Sequence, residues 1–469
     1  MSTPLESPQN SALGSKTESP HFVLIVTDNL EISVNVAKEL HRIGHHTKLA
    51  LFDGETLGEL PATAPSATLF VFSDYIEHLN ELTQNIRDTF PRSNQPIIAM
   101  INRIGDLKNN TFDSVLFAPA HPSQISTRVN SMIRLQEMER EITLRTQTLA
   151  EDFDITHTLN EADLDKSYRI LFIGEASPEF MAIINALQKR RVEVVAAFTS
   201  FSAFDFLHES SFDAVVMNAL KEPEPALTIA STMLRNSKLY HVPTLLLIDE
   251  AKFDYKEKAF KSGIKDIIPH DSDDVEIAGR IMELANYHRI HSQLKSEFNL
   301  IGGEACSDIS SGTFNANFFE KHMVRVCEFY KDSQTPISLI AIRTFYNSDI
   351  TLPDDKIARA NAQIGSMIKN LVRMQDIVAR IEDDLFFIAI PGMQFQMIDS
   401  VIDRISGVIE CTAFETGRSE PKRFTMQIET AKAKFIENES HADLIVRLYQ
   451  NLRAASGNSD TAPSLANTL

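Results

Sequence analysis

Arg373 and Asp376 stand three positions apart at the end of a predicted helix, with five residues between Asp376 and a run of acids, Glu382, Asp383 and Asp384, followed by Leu385 and Phe386. A guanidinium can grip a phosphate bidentately, and a carboxylate three residues on can accept N–H groups of the same ligand. With no ligand, the same pair is a solvated helix-face ion pair worth roughly 0.2–0.5 kcal/mol. The acids 382–384 fill the turn of an apolar hairpin, "IVARIEDDLFFIAIP", where glycine is usual. A second set of chemical positions closes buried strand runs further upstream: Asp28 after "FVLIVT", Ser73 and Asp74 after "ATLFVF", and Asn218 after "FDAVVM".

The elements that must position these residues fall into three units. The chain has 469 residues, 43% of them hydrophobic, and single cores rarely grow past about 250–300 residues. A net charge of −19 argues against a nucleic-acid or anionic-membrane partner, and no apolar run is long enough for a membrane span. Cys306, Cys327 and Cys411 match no zinc spacing and fit a reducing, cytoplasmic compartment; no metal is expected for function. The Pro/Ser-rich residues 1–20 and the tail 457–469 are expected to be disordered.

Residues 21–140 and 167–290 each alternate buried strand runs with amphipathic helices, the pattern of a parallel sheet covered on both faces. Both read as flavodoxin-like α/β units. Helical periodicity continues past each unit as a stalk, leaving linkers at 141–166 and 291–306. Residues 307–456 change to α+β: a helix, the strand "PISLIAIRTF", a long helix, the hairpin, a further helix, the strand "RFTMQIETAKAKF" and a closing helix.

On these motifs the first two units resemble response-regulator receiver domains, and the third resembles a GGDEF (nucleotidyl-cyclase-like) domain. Receiver, receiver, GGDEF is the order of the PleD and PopA type of bacterial regulator. The resemblance implies an acidic pair for magnesium, a phosphoacceptor Asp, a hydroxyl and a Lys in each working receiver. In the first unit Thr27 and Asp28 take the acidic pair, Ser73 or Asp74 the acceptor place, and Ile101 and Ala118 the hydroxyl and Lys places. Asp74 is therefore the one candidate phosphoacceptor. In the second, Gly174 and Glu175, Asn218, Ile248 and His270 stand at these places.

For the third unit the resemblance assigns Glu382, Asp383, Asp384, Leu385 and Phe386 to the catalytic Gly-Gly-acid-Glu-Phe turn, and Ala341 and Arg343 to the two aspartates of the first strand. Ala316 and Asn317 replace two arginines, and Ala454 and Asn458 fall on phosphate-contacting basic residues. Side chains stand where glycines admit a triphosphate, and a metal ligand is gone, so no diguanylate cyclase activity is expected. The same register places Arg373 and Asp376 on the family's inhibitory cyclic di-GMP site, where the carboxylate accepts guanine N–H groups. It places Arg404 where an arginine completes that site on a neighbouring domain.

The expected protein is a non-enzymatic cyclic di-GMP effector. Its receivers contact protein partners and form a homodimer, and it is recruited to a cell pole as a cell-cycle or proteolysis adaptor. The alternatives are a residual diguanylate cyclase and a ligand-independent signalling scaffold.

Overall fold

In the computed structural model, residues 22–455 are described except 43, 74–78, 92, 102–111, 119, 157–165, 189, 191, 334, 347–351, 416–422 and 437–438. Asp74 and Asn458 lie outside the described residues.

The first unit comprises β1 (Phe22–Thr27), α1 (Leu30–Arg42), β2 (His46–Leu51), β3 (Ala67–Val71), α2 (Leu79–Thr89), β4 (Ile97–Ile101), β5 (Ser114–Phe117) and α3 (Pro122–Phe153). Its sheet is wholly parallel in the order β2-β1-β3-β4-β5. The second comprises β6 (Tyr168–Ile173), α4 (Pro178–Gln188), β7 (Val192–Ala197), α5 (Ser200–Glu209), β8 (Ala214–Asn218), α6 (Pro223–Arg235), β9 (Thr244–Ile248), α7 (Lys256–Lys261), β10 (Asp266–Pro269) and α8 (Asp274–Leu300). Its parallel order, β7-β6-β8-β9-β10, repeats the first. Both are flavodoxin-like sheets, in which functional residues collect at the C-terminal strand ends. β1, β3 and β9 are buried along their whole length, as strands covered on both faces must be.

The two units pair through their last strands and last helices. Arg128 on α3 donates to Ser114 Oγ of β5 (2.7 Å) and pairs with Glu283 of α8 (3.1 Å). Arg280 on α8 reaches Asp266 of β10 (3.4 Å), which also accepts from Gln124 of α3 (2.8 Å). Each arginine lies 14 residues after the strand residue it grips, so the contact has approximate two-fold character. That face of each α/β unit is consumed inside the chain.

The third unit holds β11 (Ser307–Asp308), β12 (Thr313–Asn315), α9 (Ala316–Asp332), β13 (Ile337–Phe345), α10 (Asp354–Leu371), β14 (Ile377–Glu382), β15 (Leu385–Pro391), α11 (Ile398–Glu410), β16 (Ala413–Glu415), β17 (Arg423–Thr425), β18 (Gln427–Lys434) and α12 (His441–Ala455). The main sheet runs β11-β12-β14-β15-β13-β18, and β16 pairs only with β17. The single strand expected over 423–435 is thus two, broken at the fully buried Met426. The alternating residues of β13 feed two cores: Leu339 and Ala341 face α9 and α12, while Ile340 and Ile342 face α10 and α11.

The helical stalk expected to leave the first unit is present, running through residue 153 inside the span expected as a linker. α3 is one 32-residue helix, opened by Pro122 at its first turn and closed by Asp154 in the left-handed region. Its second half packs on α9, burying Leu144, Thr148 and Leu149. Residues 291–300 likewise continue α8, and Phe298, Ile301 and Cys306 join Phe318 in a core shared with α3. Cys306 and Cys327 are buried free thiols and Cys411 is an exposed one. Among the described residues no helix is long and apolar enough to cross a membrane.

Candidate functional site

Arg373 and Asp376 do not share a helix face. α10 ends at Leu371, and Arg373 to Asp376 form a turn closed by Asp376 N–H donating to the Arg373 carbonyl (3.0 Å). The Asp376 carboxylate accepts the Arg373 backbone N–H through Oδ2 (2.8 Å). The turn separates the two side chains: Arg373 is half exposed, whereas Asp376 is buried with Oδ1 lacking a partner. Burial pushes the Asp376 carboxyl up to about 7, opposed by the Arg373 N–H and guanidinium and reinforced by Glu137 and Glu141.

Those two glutamates belong to α3, which lies over the turn. Glu137 approaches the Arg373 guanidinium (3.9 Å) and accepts from Gln375 Nε2 (3.3 Å). Arg145 donates to the carbonyl oxygens of Met374 (3.3 Å) and Asp376 (3.2 Å), binding the turn's backbone to the helix. Arg145 is itself paired with Glu141 (2.6 Å), and Glu141 with His322 of α9 (3.1 Å), all three buried. Burial opposes the Glu141 charge, but Arg145 and His322 outweigh it and hold that carboxyl below its ordinary value. Glu137 is pushed up by burial, which outweighs Arg373, the Gln375 hydrogen bond, Arg140 and Arg134.

Sequence reasoning missed Glu137, Glu141, Arg145 and His322. Glu141 and Arg145, four apart on a helix, carry the signature of a solvated pair, and nothing local distinguishes it from a buried one. Arg404 is exposed on α11 and forms no hydrogen bond or ion pair with Arg373 or Asp376. Within one chain the structure does not bring these three together.

The hairpin turn is open. Glu382 pairs with Leu385 across β14 and β15, and Asp383 and Asp384 make the two-residue turn without entering the left-handed region. Arg343 pairs with Glu382 (2.8 Å) and stands 3.8 Å from Asp384. Arg380 donates to the Asp383 carbonyl (2.7 Å), Ser310 Oγ (2.8 Å) and Asp308 (3.2 Å). An open groove of about 640 Å³ runs between these acids and Asn315. Leu385 and Phe386 are fully buried in separate cores.

The residues here do not fit a magnesium ion. Ala341 is sealed in the core and offers no oxygen, and the Arg343 guanidinium stands between the two carboxylates that a cation would need. Among the described residues no group of three metal-ligating side chains is found.

At the C-terminal strand ends of the two parallel sheets the candidate residues bond to one another. In the first, Asp28 accepts from Ser73 N–H (2.9 Å), Asn29 Nδ2 donates to Ser73 Oγ (3.2 Å), and Ala118 N–H bonds the Ile101 carbonyl. In the second, Asn218 Nδ2 donates to the Glu175 carbonyl (3.2 Å), and Lys221 pairs with the Glu175 carboxylate (2.6 Å). The His270 ring lies against the Ile248 carbonyl (3.2 Å). Gly174 has φ +129°, and a Cβ there would stand 2.8 Å from Asn218 Cβ, so that approach needs glycine.

The sequence matches no protein-family model and no curated protein. Many solved structures are similar in part, three of them as follows. The GGDEF domain of FimX from Pseudomonas aeruginosa is 17% identical, covering 32% of this chain and 94% of that one, with a TM-score of 0.29. The GGDEF domain of DgcB from Caulobacter crescentus, solved in complex with c-di-GMP, is 16% identical over 34% of this chain and 94% of that one, at 0.30. The chemotaxis response regulator CheY4 of Vibrio cholerae is 13% identical over 25% of this chain and 99% of its own, at 0.24. The fold assignment rests on the strand orders described above.

Proposed function

We propose that the chain is a non-enzymatic receptor for cyclic di-GMP that binds the dinucleotide at the turn Arg373–Asp376 and acts by changing protein–protein contacts. The observation that carries this reading is the turn itself: a half-exposed guanidinium beside a buried carboxylate with one unpartnered oxygen. Such a carboxylate is costly unless something completes its hydrogen bonding, and guanine N–H groups would do so. Arg404, on a separate helix, would serve a second ligand face from another copy. The partner is a protein, and recruitment to a pole as a cell-cycle or proteolysis adaptor is the cellular form this reading takes.

Loss of the cyclase reaction is part of the proposal. Phosphoryl transfer depends on positioning and on cations at the developing charge, and here an arginine neutralises the turn acids from a strand that supplies no metal ligand. The seating of α3 over the turn favours a second reading, a scaffold that needs no ligand.

Titration calorimetry of the full chain with cyclic di-GMP separates them. Arg373→Ala should weaken binding at least about tenfold, or 1.4 kcal/mol. Wild-type protein that takes up no ligand supports the scaffold.

A further inference from the structure

The turn that would receive the ligand is already engaged from above by an acidic side chain of the first receiver's long helix. Glu137 lies between Arg373, Gln375 and Gly392. Gly392 has φ +75°, and a Cβ on it would stand 2.6 Å from Glu137 Oε1, so the glycine makes room for this carboxylate. Arg145, one turn-pair further along α3, grips the carbonyls of Met374 and Asp376. Arg134, Arg140 and Glu141 on α3 and His322 on α9 complete the charged surroundings.

We infer that Glu137 stands in for the anion that Arg373 would bind, so that ligand uptake at the turn and the seating of α3 on the third domain exclude each other. The inference rests on the receptor reading and names its regulation. A phosphate at Arg373 would meet the largely buried Glu137 carboxyl beside the same half-exposed guanidinium, where like charges repel. Asp376 Oδ1 is buried without a partner in the turn whose backbone Arg145 of α3 holds. A ligand shifts an equilibrium only by binding one arrangement better, and its apparent affinity falls with the population of the competent one. Opening the turn frees the half of α3 that joins the receivers to the third domain, which supplies the receptor with an output.

The test uses the full chain, labelled at Glu139→Cys on α3 and Asp403→Cys on α11 in a Cys411→Ser background, with label distances measured by electron paramagnetic resonance. Saturating cyclic di-GMP should widen the distance distribution in otherwise wild-type protein. Glu137→Gln should bind the dinucleotide at least about fivefold more tightly. Equal affinity in the two proteins, or a distance the ligand leaves narrow, overturns the inference and leaves binding at Arg373 standing. Uptake by neither protein overturns the receptor reading and the inference with it.

Discussion

Two arginine–carboxylate clusters lie within a dozen residues of each other in the third unit, and they live in different dielectric worlds. At 373–376 the carboxyl is buried beneath α3, one oxygen is unpartnered, and the group is pushed up to about 7. At 382–384 the acids face solvent, with Asp383 fully exposed, and they are answered by the half-exposed Arg343 and the largely buried Arg380. The same residue types therefore carry different energies. In the turn under α3 an ion is either paired or costly, while at the hairpin water screens the Arg343 pairs to little.

The comparison is broken most directly at its arginines. Arg145→Ala removes a buried cation from Glu141 and from two backbone carbonyls and should cost about 3–5 kcal/mol in denaturant unfolding. Arg343→Ala, at the half-exposed pairs with Glu382 and Asp384, should cost about 1 kcal/mol or less. Equal losses would mean that the stalk contact is as solvated as the hairpin.

Acidity sharpens it next. Asp376 is raised from 3.8 to about 7, so the folded state holds its proton more tightly than the unfolded one. The stabilisation is fully present below the ordinary value and is lost as pH rises through about 7, on the order of a few kcal/mol. Protection against hydrogen exchange at residues 373–377, corrected for the intrinsic rate, should therefore fall as pH rises from about 4 to about 7. Asp376→Asn should flatten that profile, leaving a residue of the same sign from Glu137, which is also raised. A profile unchanged by the substitution would place the titration elsewhere.

The smallest effect belongs to the open turn. Glu382→Gly with Asp383→Gly should alter stability by about 1 kcal/mol or less, since surface substitutions away from special features seldom exceed about 0.5 each. Incubated with GTP and magnesium, this variant should yield no cyclic di-GMP, because Ala341 and Arg343 remain. Product formation would show that the turn alone had silenced a cyclase.

The two parallel sheets were legible in runs such as "FVLIVTDN" and "PTLLLID", because strands buried on both faces are written as unbroken apolar stretches. The strands missed, β2 and β7, are sheet edges with mixed exposure, where that signal fades. The hairpin was legible for a related reason: β15 is buried throughout, and its acidic turn interrupts it. The turn at 373–376 was not. "RMQD" contains no glycine or proline, and helix is a reasonable reading until Arg145 offers its carbonyls another partner.

The sequence by itself determined which side chains stand at the hairpin turn and at the strand ends, and that determination is local: Ala341 or Asn218 is visible in the letters. It also determined the three units, since apolar period follows from backbone geometry. Only the tertiary structure decided that Asp376 is desolvated and that Glu137 meets Arg373. Burial and charge depend on what packs above a residue, and here the packing helix is held by a bond spanning 231 positions, from Arg145 to the Asp376 carbonyl.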